Sequence, residues 1–290
     1  MGYIFFLNGR FVPEEQAKVS VLERGFLYGD GVFETMRSYQ GKIFRIDEHL
    51  SRLKDALDKL MITPSDDISQ LKKNTFEVLH RNKLSEAYMR INITRGLFMQ
   101  PQEKTSKHIA TMLILIRKFI PYPDKCYRQG IRAIIATTRQ NENSPLANIK
   151  SLNYLNNLMA KTEALRRGAQ EAIMLNSKGL VCEGAISNIF IVKGKDLYTP
   201  AITTGCLNGI TRNTVIEIAR RKQILVKETD ISIEQLSGAD EIFITNSLME
   251  VMPVVEINNR RINRARIGRL TQFLMKEYRK VVEHETRHSK

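Results

Sequence analysis

Helical and strand-like hydrophobic patterns alternate along the whole chain, and this mixing most constrains the fold. Apolar residues recur at helical spacing within residues 47–60 and 266–284, whereas residues 88–93 alternate apolar and polar side chains, as in a strand with one packed face. Turn signals such as Asn8-Gly9 separate the strand-like stretches. The sequence therefore predicts mixed α/β (or α+β) structure, and 290 residues are enough for two domains.

The stretch that contains Pro121 and Pro123 is the best candidate for an interdomain linker. We place this linker at residues 120–130. It would separate a small N-terminal α/β domain, residues 1–119, from a larger C-terminal α/β domain, residues 131–290.

Three further helices are expected at residues 67–81, 152–167 and 210–221, and Asp47 is the expected N-cap of the helix that precedes them. The continuous apolar run at 109–117 predicts a buried strand. The other strands are expected at 3–7, 10–13, 32–39, 42–45, 131–137, 172–175, 180–183, 189–192, 197–199 and 241–245.

Composition excludes several classes of protein. The formal net charge of +14 is spread along the chain without interleaved aromatic residues, which favours a basic surface that attracts anionic ligands over a nucleic-acid-binding protein. The three cysteines form no C-x-x-C pair and the five histidines show no metal-ligand spacing, so we expect no disulfide framework, no metal and a reducing cytoplasm. The absence of a long apolar run predicts no membrane span, and the N-terminus resembles a strand more than a signal peptide.

Two positions could bind or activate an anionic cofactor. Lys150 stands between the polar loop 139–148 and the helix predicted at 152–167, although most lysines of such a chain simply lie in water. Gly209-Ile210-Thr211 opens the helix predicted at 210–221, where unpaired backbone N–H groups, the helix dipole and a threonine hydroxyl suit a phosphate. Taken alone, this segment is better explained as an ordinary helix N-terminus with a glycine turn.

Two charged residues complete the candidate set. Glu183 lies at a strand end among small and apolar residues, and it needs either a cationic ligand such as a pyridinium nitrogen or a salt bridge to an arginine. Arg52 lies off the apolar stripe of its helix, where it is either a phosphate ligand or part of a solvated face. The neighbouring His49 is interpreted as structural.

These stretches together resemble the class IV aminotransferases, the fold-type IV pyridoxal-phosphate enzymes, over nearly the full chain. That family includes branched-chain aminotransferases, D-amino-acid aminotransferases and aminodeoxychorismate lyases. The landmarks occur in order: Arg24-Gly25 with Tyr28-Gly29-Asp30-Gly31-Val32-Phe33-Glu34, then His49-Leu50-x-Arg52-Leu53, Lys150, Glu183-Gly184 with Asn188 and Phe190, Leu207-x-Gly209-Ile210-Thr211-Arg212, and Glu250-Val251-x-Pro253-Val254.

The resemblance implies a role for each landmark. Lys150 would form the Schiff base with pyridoxal 5'-phosphate and move the proton between the substrate Cα and the cofactor. Glu183 would contact the ring nitrogen, Tyr154 the ring oxygen, and Leu207 the ring face. The phosphate would be held by Arg52, Gly209, Ile210, Thr211 and Ser247. The resemblance also implies two domains with the cofactor between them, the C-terminal one being the cofactor-binding domain, and a homodimer with sites near its interface.

The substrate is less closely defined. Tyr88 and Arg90 resemble the Tyr-x-Arg of branched-chain aminotransferases, which helps to bind substrate carboxylates, and Tyr28 and Phe33 are further candidate substrate residues. Three departures resemble the lyase branch instead: Thr35, Ile186, and the segment Asn246 to Met249, in which Leu248 and Met249 would enlarge the wall near the substrate. The loop with Gln100 and Gln102 lacks the Arg-x-His pair of the D-specific branch.

The leading hypothesis is a transaminase that moves the amino group of branched-chain L-amino acids to 2-oxoglutarate. The alternative is an aminodeoxychorismate lyase, which eliminates pyruvate and leaves 4-aminobenzoate. A D-amino-acid aminotransferase is a weaker alternative, and a basic nucleic-acid-binding protein that only keeps the fold is a third class. The expected partners are small amino acids and oxo acids, with no nucleic acid, membrane or metal.

Overall fold

A computed structural model describes residues 2–97 and 110–287, and its internal contacts divide the chain into two compact units. The first unit takes in the chain up to Ile120 together with residues 149–153 and 285–290; the second takes in residues 121–148 and 154–284. Lys150 is therefore grouped with the first unit, although it lies far along the sequence. Both units mix helices and strands, which confirms the predicted α/β class.

The first unit is built on a six-stranded antiparallel sheet in the order β2-β1-β6-β5-β3-β4. Its strands are β1 (Ile4–Leu7), β2 (Arg10–Pro13), β3 (Gly31–Tyr39), β4 (Lys42–Ile43), β5 (Ala87–Thr94) and β6 (Thr111–Lys118). Its helices are α1 (Arg24–Tyr28), α2 (Ile46–Lys59) and α3 (Ile68–Arg81). One face of the sheet packs with α2 and α3 into a single apolar core.

The β5 strand shows how the sheet sorts its side chains. Met89 and Ile91 are fully buried in the core, whereas Tyr88, Arg90 and Asn92 are half-buried on the opposite face. The alternation predicted for residues 88–93 is therefore confirmed.

Two details of the first unit differ from the predictions. The N-cap of α2 is Arg45, not Asp47, because the chain enters the helix through a left-handed residue at Arg45 (φ 54°). The β6 strand is buried only at alternate residues, whereas its continuous apolar run predicts a buried strand. Its half-buried residues, such as Leu113 and Leu115, lie on the sheet face opposite α2 and α3.

The second unit holds a nine-stranded mixed sheet in the order β12-β11-β10-β13-β14-β7-β8-β9, with β15 paired to β14. The strands are β7 (Ile131–Gln140), β8 (Glu171–Asn176), β9 (Val181–Gly184), β10 (Asn188–Lys193), β11 (Asp196–Pro200), β12 (Val226–Thr229), β13 (Glu241–Asn246), β14 (Glu250–Ile257) and β15 (Arg260–Arg261). The helices are α4 (Asp124–Gln129), α5 (Leu155–Arg166), α6 (Ile210–Arg221), α7 (Ile233–Ser237) and α8 (Arg269–Arg287), of which the last residues, from 285, are grouped with the first unit.

Two of the helices predicted in the second unit have different outcomes. The α6 helix begins and ends where the sequence places it, with Gly209 as its N-cap. The α5 helix begins at Leu155, three residues after the predicted start, and Gly168 follows it in a left-handed conformation (φ 69°). The segment predicted as a linker, residues 120–130, includes the short helix α4.

Neither a membrane-spanning helix nor a cluster of metal ligands occurs among the described residues. None of the helices among residues 2–97 and 110–287 combines the length and the hydropathy that a membrane crossing requires. Within the same ranges, no three histidine, cysteine or acidic side chains converge as metal ligands.

Candidate active site

Lys150 is held beside β3 by backbone hydrogen bonds. The Phe33 N–H donates to the Lys150 carbonyl at 2.9 Å, and the Leu152 N–H donates to the Gly31 carbonyl at 2.9 Å. This pairing keeps the segment extended, which explains why α5 begins only at Leu155. The Lys150 Nζ lies 4.4 Å from the centroid of the Phe33 ring. Lys150 is therefore fixed on a strand edge and half-buried, unlike a lysine free in water.

A second cation contacts the ring of Phe33. The Arg90 guanidinium carbon lies 3.8 Å from the ring centroid. Arg90 pairs across the sheet with Thr35, and Tyr88 follows on the same face of β5, so these predicted substrate residues share one sheet face. The remaining predicted substrate residue of this unit, Tyr28, ends α1 and is 56% exposed, with Arg24 over its ring.

Arg52 is not part of a solvated helix face. Its Nε donates to Glu34 Oε1 at 2.7 Å and its Nη2 donates to Glu34 Oε2 at 2.8 Å, and its side chain is only 15% exposed. The Nδ1 atom of His49 lies 2.7 Å from the same Oε2. Glu34, His49 and Arg52 thus form a buried carboxylate cluster, named the Glu34 cluster below.

The charge state of the Glu34 cluster follows from its contacts. Burial raises the pKa of Glu34, but the charge of Arg52 and the hydrogen bonds from His49 and Arg52 outweigh it, so the pKa lies well below its ordinary value. Burial lowers the pKa of His49, and the charges of Arg52 and Lys150 lower it further against the effect of Glu34. A neutral His49 then donates its Nδ1–H to the carboxylate.

Sequence reasoning missed Glu34 as the partner of Arg52, although a signal was present. Glu34 lies between Val32 and Met36 at alternate positions of β3, all three fully buried. A carboxylate at a core-facing position of a strand requires a cation or hydrogen-bond donors. His49, which is interpreted as structural, is buried on α2.

In the second unit, Glu183 is oriented by a buried amide and a backbone N–H. Glu183 is 9% exposed, and its Oε2 accepts from the Leu207 N–H at 3.0 Å and, more weakly, from Asn188 Nδ2 at 3.5 Å. The same Asn188 amide donates to the Leu207 carbonyl at 2.7 Å. Asn188 therefore ties the loop before α6 to the strand end that carries Glu183.

Gly209 is required by the close approach of Asn188. A Cβ atom at residue 209 would lie 1.9 Å from the Asn188 Oδ1, so only glycine fits without displacing the amide. Gly209 is the N-cap of α6 and offers no capping side chain to the first turn, which begins with Ile210 and Thr211. The N–H groups of this turn lack intrahelical partners, and together with the helix dipole they form an anion-binding terminus.

The first turn of α6 is anchored by the residue that follows Thr211. Arg212 is 1% exposed, and its Nη2 donates to both the Pro200 carbonyl and the Glu228 carboxylate at 2.9 Å. These contacts fix the direction in which the helix N-terminus points.

The other predicted residues of the second unit border the loop after Glu183. The Tyr154 hydroxyl donates to the Ala185 carbonyl at 3.3 Å. Asn246 donates to the Ile186 carbonyl at 2.9 Å, and its Oδ1 accepts the N–H groups of Leu248 and Met249. Asn246 thereby shapes the turn that presents the half-buried side chains of Ser247 and Leu248, while the side chain of Met249 packs into the apolar core.

Comparison with known proteins identifies the family. The family model described as amino-transferase class IV matches residues 31–257. A putative branched-chain-amino-acid aminotransferase of Methanocaldococcus jannaschii is 40% identical over 280 residues, 95% of each chain. A D-alanine aminotransferase of Staphylococcus epidermidis is 32% identical over 96% of this chain and 97% of the relative. The aminodeoxychorismate lyase of Bacillus subtilis is 32% identical over 97% and 95%, respectively.

Solved structures agree with this assignment. The branched-chain amino acid aminotransferase of Escherichia coli has a TM-score of 0.93 at 31% identity, and the match covers 100% of this chain and 97% of that one. The T.th. branched-chain amino acid aminotransferase, in complex with N-(5'-phosphopyridoxyl)-L-glutamate, has a TM-score of 0.90 at 31% identity over 99% and 96%. The resemblance to the fold-type IV enzymes is thereby confirmed, and this chain belongs to the amino-transferase class IV family of pyridoxal-phosphate-dependent enzymes.

Proposed function

We propose that this enzyme transfers the amino group of branched-chain L-amino acids to 2-oxoglutarate, with Lys150 as the catalytic residue. The observation that carries the proposal is the placement of Lys150 and Arg90 over the ring of Phe33. An amine held on a strand edge and a guanidinium, both in contact with one aromatic ring, offer a base and a carboxylate receptor at that ring. The names of the relative from M. jannaschii and of the E. coli structure support the branched-chain substrate.

The second unit offers groups that suit the ring and the phosphate of pyridoxal phosphate. Glu183 has an orientation fixed by Leu207 and Asn188, as a carboxylate that holds a pyridinium nitrogen needs. The uncapped N-terminus of α6 suits a phosphate. We assign Ile210 and Thr211 to the phosphate, with Ser247 and Arg52 as its other ligands, Leu207 to the ring face and Tyr154 to the ring oxygen.

When bound, pyridoxal phosphate supplies an aldehyde and a protonated ring that withdraws electrons from the substrate Cα. Lys150 would hold the cofactor covalently through Nζ, and as a free amine it would serve as the base and acid for the substrate Cα proton. Glu183 would hold the ring nitrogen in its protonated form. Arg90 receives a substrate carboxylate, and the apolar neighbours on its sheet face, Phe33 and Leu115, suit an aliphatic side chain.

One assay distinguishes this function from its alternatives. The purified, cofactor-loaded enzyme is incubated with L-leucine and 2-oxoglutarate, with aminodeoxychorismate, and with D-alanine and 2-oxoglutarate. We expect glutamate from the first mixture. Pyruvate from aminodeoxychorismate would identify the lyase instead, a reading that the B. subtilis relative supports. Pyruvate from D-alanine would identify the D-specific branch, to which the S. epidermidis relative belongs by name. The loop with Gln100 and Gln102, which argues against that branch in the sequence, lies outside the described residues.

Replacing Glu183 with glutamine tests the contact to the ring nitrogen. A neutral amide cannot keep the ring protonated, so we expect the half-reaction with L-leucine to slow by about 10²-fold, the scale of one lost electrostatic contact in a dry site. The rate is followed in a stopped-flow spectrometer from the loss of the cofactor's absorption. Glu163→Gln, on the helix α5, is the control, and its rate should equal that of the wild type. If Glu183→Gln reacts as fast as the wild type, Glu183 does not contact the ring nitrogen.

We also propose that the enzyme is a cytoplasmic homodimer. Support for self-association comes from exposed apolar side chains in the first unit, among them Val21 at 72% and Phe26 at 73% exposure. The cysteines Cys126, Cys182 and Cys206 are all free thiols, as a reducing compartment allows. Light scattering after gel filtration should give about twice the 33.4 kDa chain mass, and the chain mass itself would contradict the dimer.

A further inference from the structure

Arg37, Arg90 and Arg117 lie on one face of the first sheet, and they differ in how their charge is balanced. Arg37, Tyr88 and Arg117 are paired across β3, β5 and β6, and Arg90 lies two residues along β5 from Tyr88. The Arg37 guanidinium is paired with Glu86, and that of Arg117 with Glu14.

Arg90 has no such partner. Among residues 2–97 and 110–287, no carboxylate forms an ion pair with its guanidinium. Its described contacts are the Phe33 ring and one hydrogen bond from Nε to the Asn92 Oδ1, at 2.8 Å. A half-buried guanidinium that keeps its full charge is a receptor for an anion.

Asn92 fixes the direction of that receptor. The Phe33 ring lies against the guanidinium, 3.8 Å from its carbon to the ring centroid, and the hydrogen bond to Asn92 restricts its rotation. Because Nε donates to Asn92, the opposite edge with Nη1 and Nη2 is the one that can donate two parallel hydrogen bonds to a carboxylate. Asn92 lies opposite Phe33 and Leu113 on the two neighbouring strands.

We propose that Asn92 is a specificity-determining positioning residue, which aims Arg90 at the side-chain carboxylate of a dicarboxylic substrate. This inference rests on the proposed function and deepens it. The apolar neighbours of Arg90 on the same face, Phe33 and Leu115, also suit a branched aliphatic side chain. One site can then take both partners of the reaction, and Asn92 governs only the dicarboxylic one.

The variant Asn92→Leu tests this role. Leucine keeps the number of side-chain heavy atoms and the branched shape but removes the acceptor, so Arg90 loses its fixed rotation. We expect KM for 2-oxoglutarate, and Kd for glutarate in calorimetry, to rise about tenfold, the scale of one hydrogen bond to a charged group. KM for 4-methyl-2-oxopentanoate should not change. In Asn92→Asp the new carboxylate neutralises the charge of Arg90. The loss of glutarate affinity should therefore be at least as large as in Asn92→Leu.

A double-mutant cycle shows whether Asn92 acts through Arg90. In an Arg90→Leu background, Asn92→Leu should cause no further loss of glutarate binding. The matched control is Arg117→Leu, which removes a guanidinium from the same sheet face whose charge Glu14 already balances; glutarate binding should not change.

Three results would overturn the inference: equal losses for both oxo acids in Asn92→Leu, additive effects in the cycle, or wild-type glutarate affinity in Asn92→Leu. A wild-type enzyme that transaminates neither oxo acid would refute the proposed function instead. The glutarate titration still decides the role of Asn92 in that case, because it needs no turnover.

Discussion

Replacing Lys150 with alanine is expected to abolish transamination and to leave the fold intact. The backbone of the Lys150 segment, not its side chain, makes the hydrogen bonds to Gly31 and Phe33 of β3, so the segment should keep its place. The side chain is the only proposed group that both attaches to the cofactor and moves the Cα proton. Its loss should therefore lower kcat by about 10⁴-fold or more, the upper range for a positioned acid–base group.

Two measurements check this result. The wild type should absorb as a yellow lysine adduct that borohydride fixes, with the added mass on the peptide that contains Lys150, whereas Lys150→Ala should bind pyridoxal phosphate only reversibly. Lys178→Ala, which removes an exposed lysine in the turn after β8, is the control and should be fully active. A Lys150→Ala enzyme with substantial turnover, or a cofactor mass on another lysine, would refute the assigned role.

The predictable part of the fold is the part governed by local rules. The alternation in β5 follows from the pleat, and the start of α6 follows from a glycine before an apolar-periodic run. The start of α5 was predicted wrongly, because Ser151 and Leu152 pair with β3, more than a hundred residues earlier in the chain. Long-range pairing of this kind overrides the local helical pattern.

The candidate site divides in the same way. Lys150, Arg52 and Glu183 could be selected from ordered motifs, but their surroundings depend on contacts between distant elements. The Glu34 carboxylate meets Arg52 because α2 packs on β3, and Asn188 meets Leu207 across the loop before α6. Residue type alone therefore indicates which chemistry is present, while packing determines how each group is oriented and charged.

The Glu34 cluster carries the largest expected effect on stability. Glu34 is fully buried, and the side chain of His49 is 2% exposed. Replacing Glu34 with glutamine keeps the shape of the side chain but removes the charge that Arg52 requires, which leaves an uncompensated cation in a nearly dry environment. We expect the free energy of unfolding at pH 7 to fall by about 3–5 kcal/mol. The matched control is Glu77→Gln, whose exposed pair with Arg81 on α3 should contribute only about 0.5 kcal/mol.

The pH dependence of unfolding provides an independent check on Glu34. Its pKa in the folded protein lies below the ordinary value of 4.5, so its ionised form stabilises the fold above pH 4.5, and that stabilisation is lost as the pH falls from there toward the lower folded pKa. Thermal midpoints recorded downward from pH 4.5 should therefore fall less steeply for Glu34→Gln than for the wild type. Parallel curves would mean that Glu34 has the same pKa in the folded and unfolded chains, contrary to a carboxylate held ionised by Arg52 and His49.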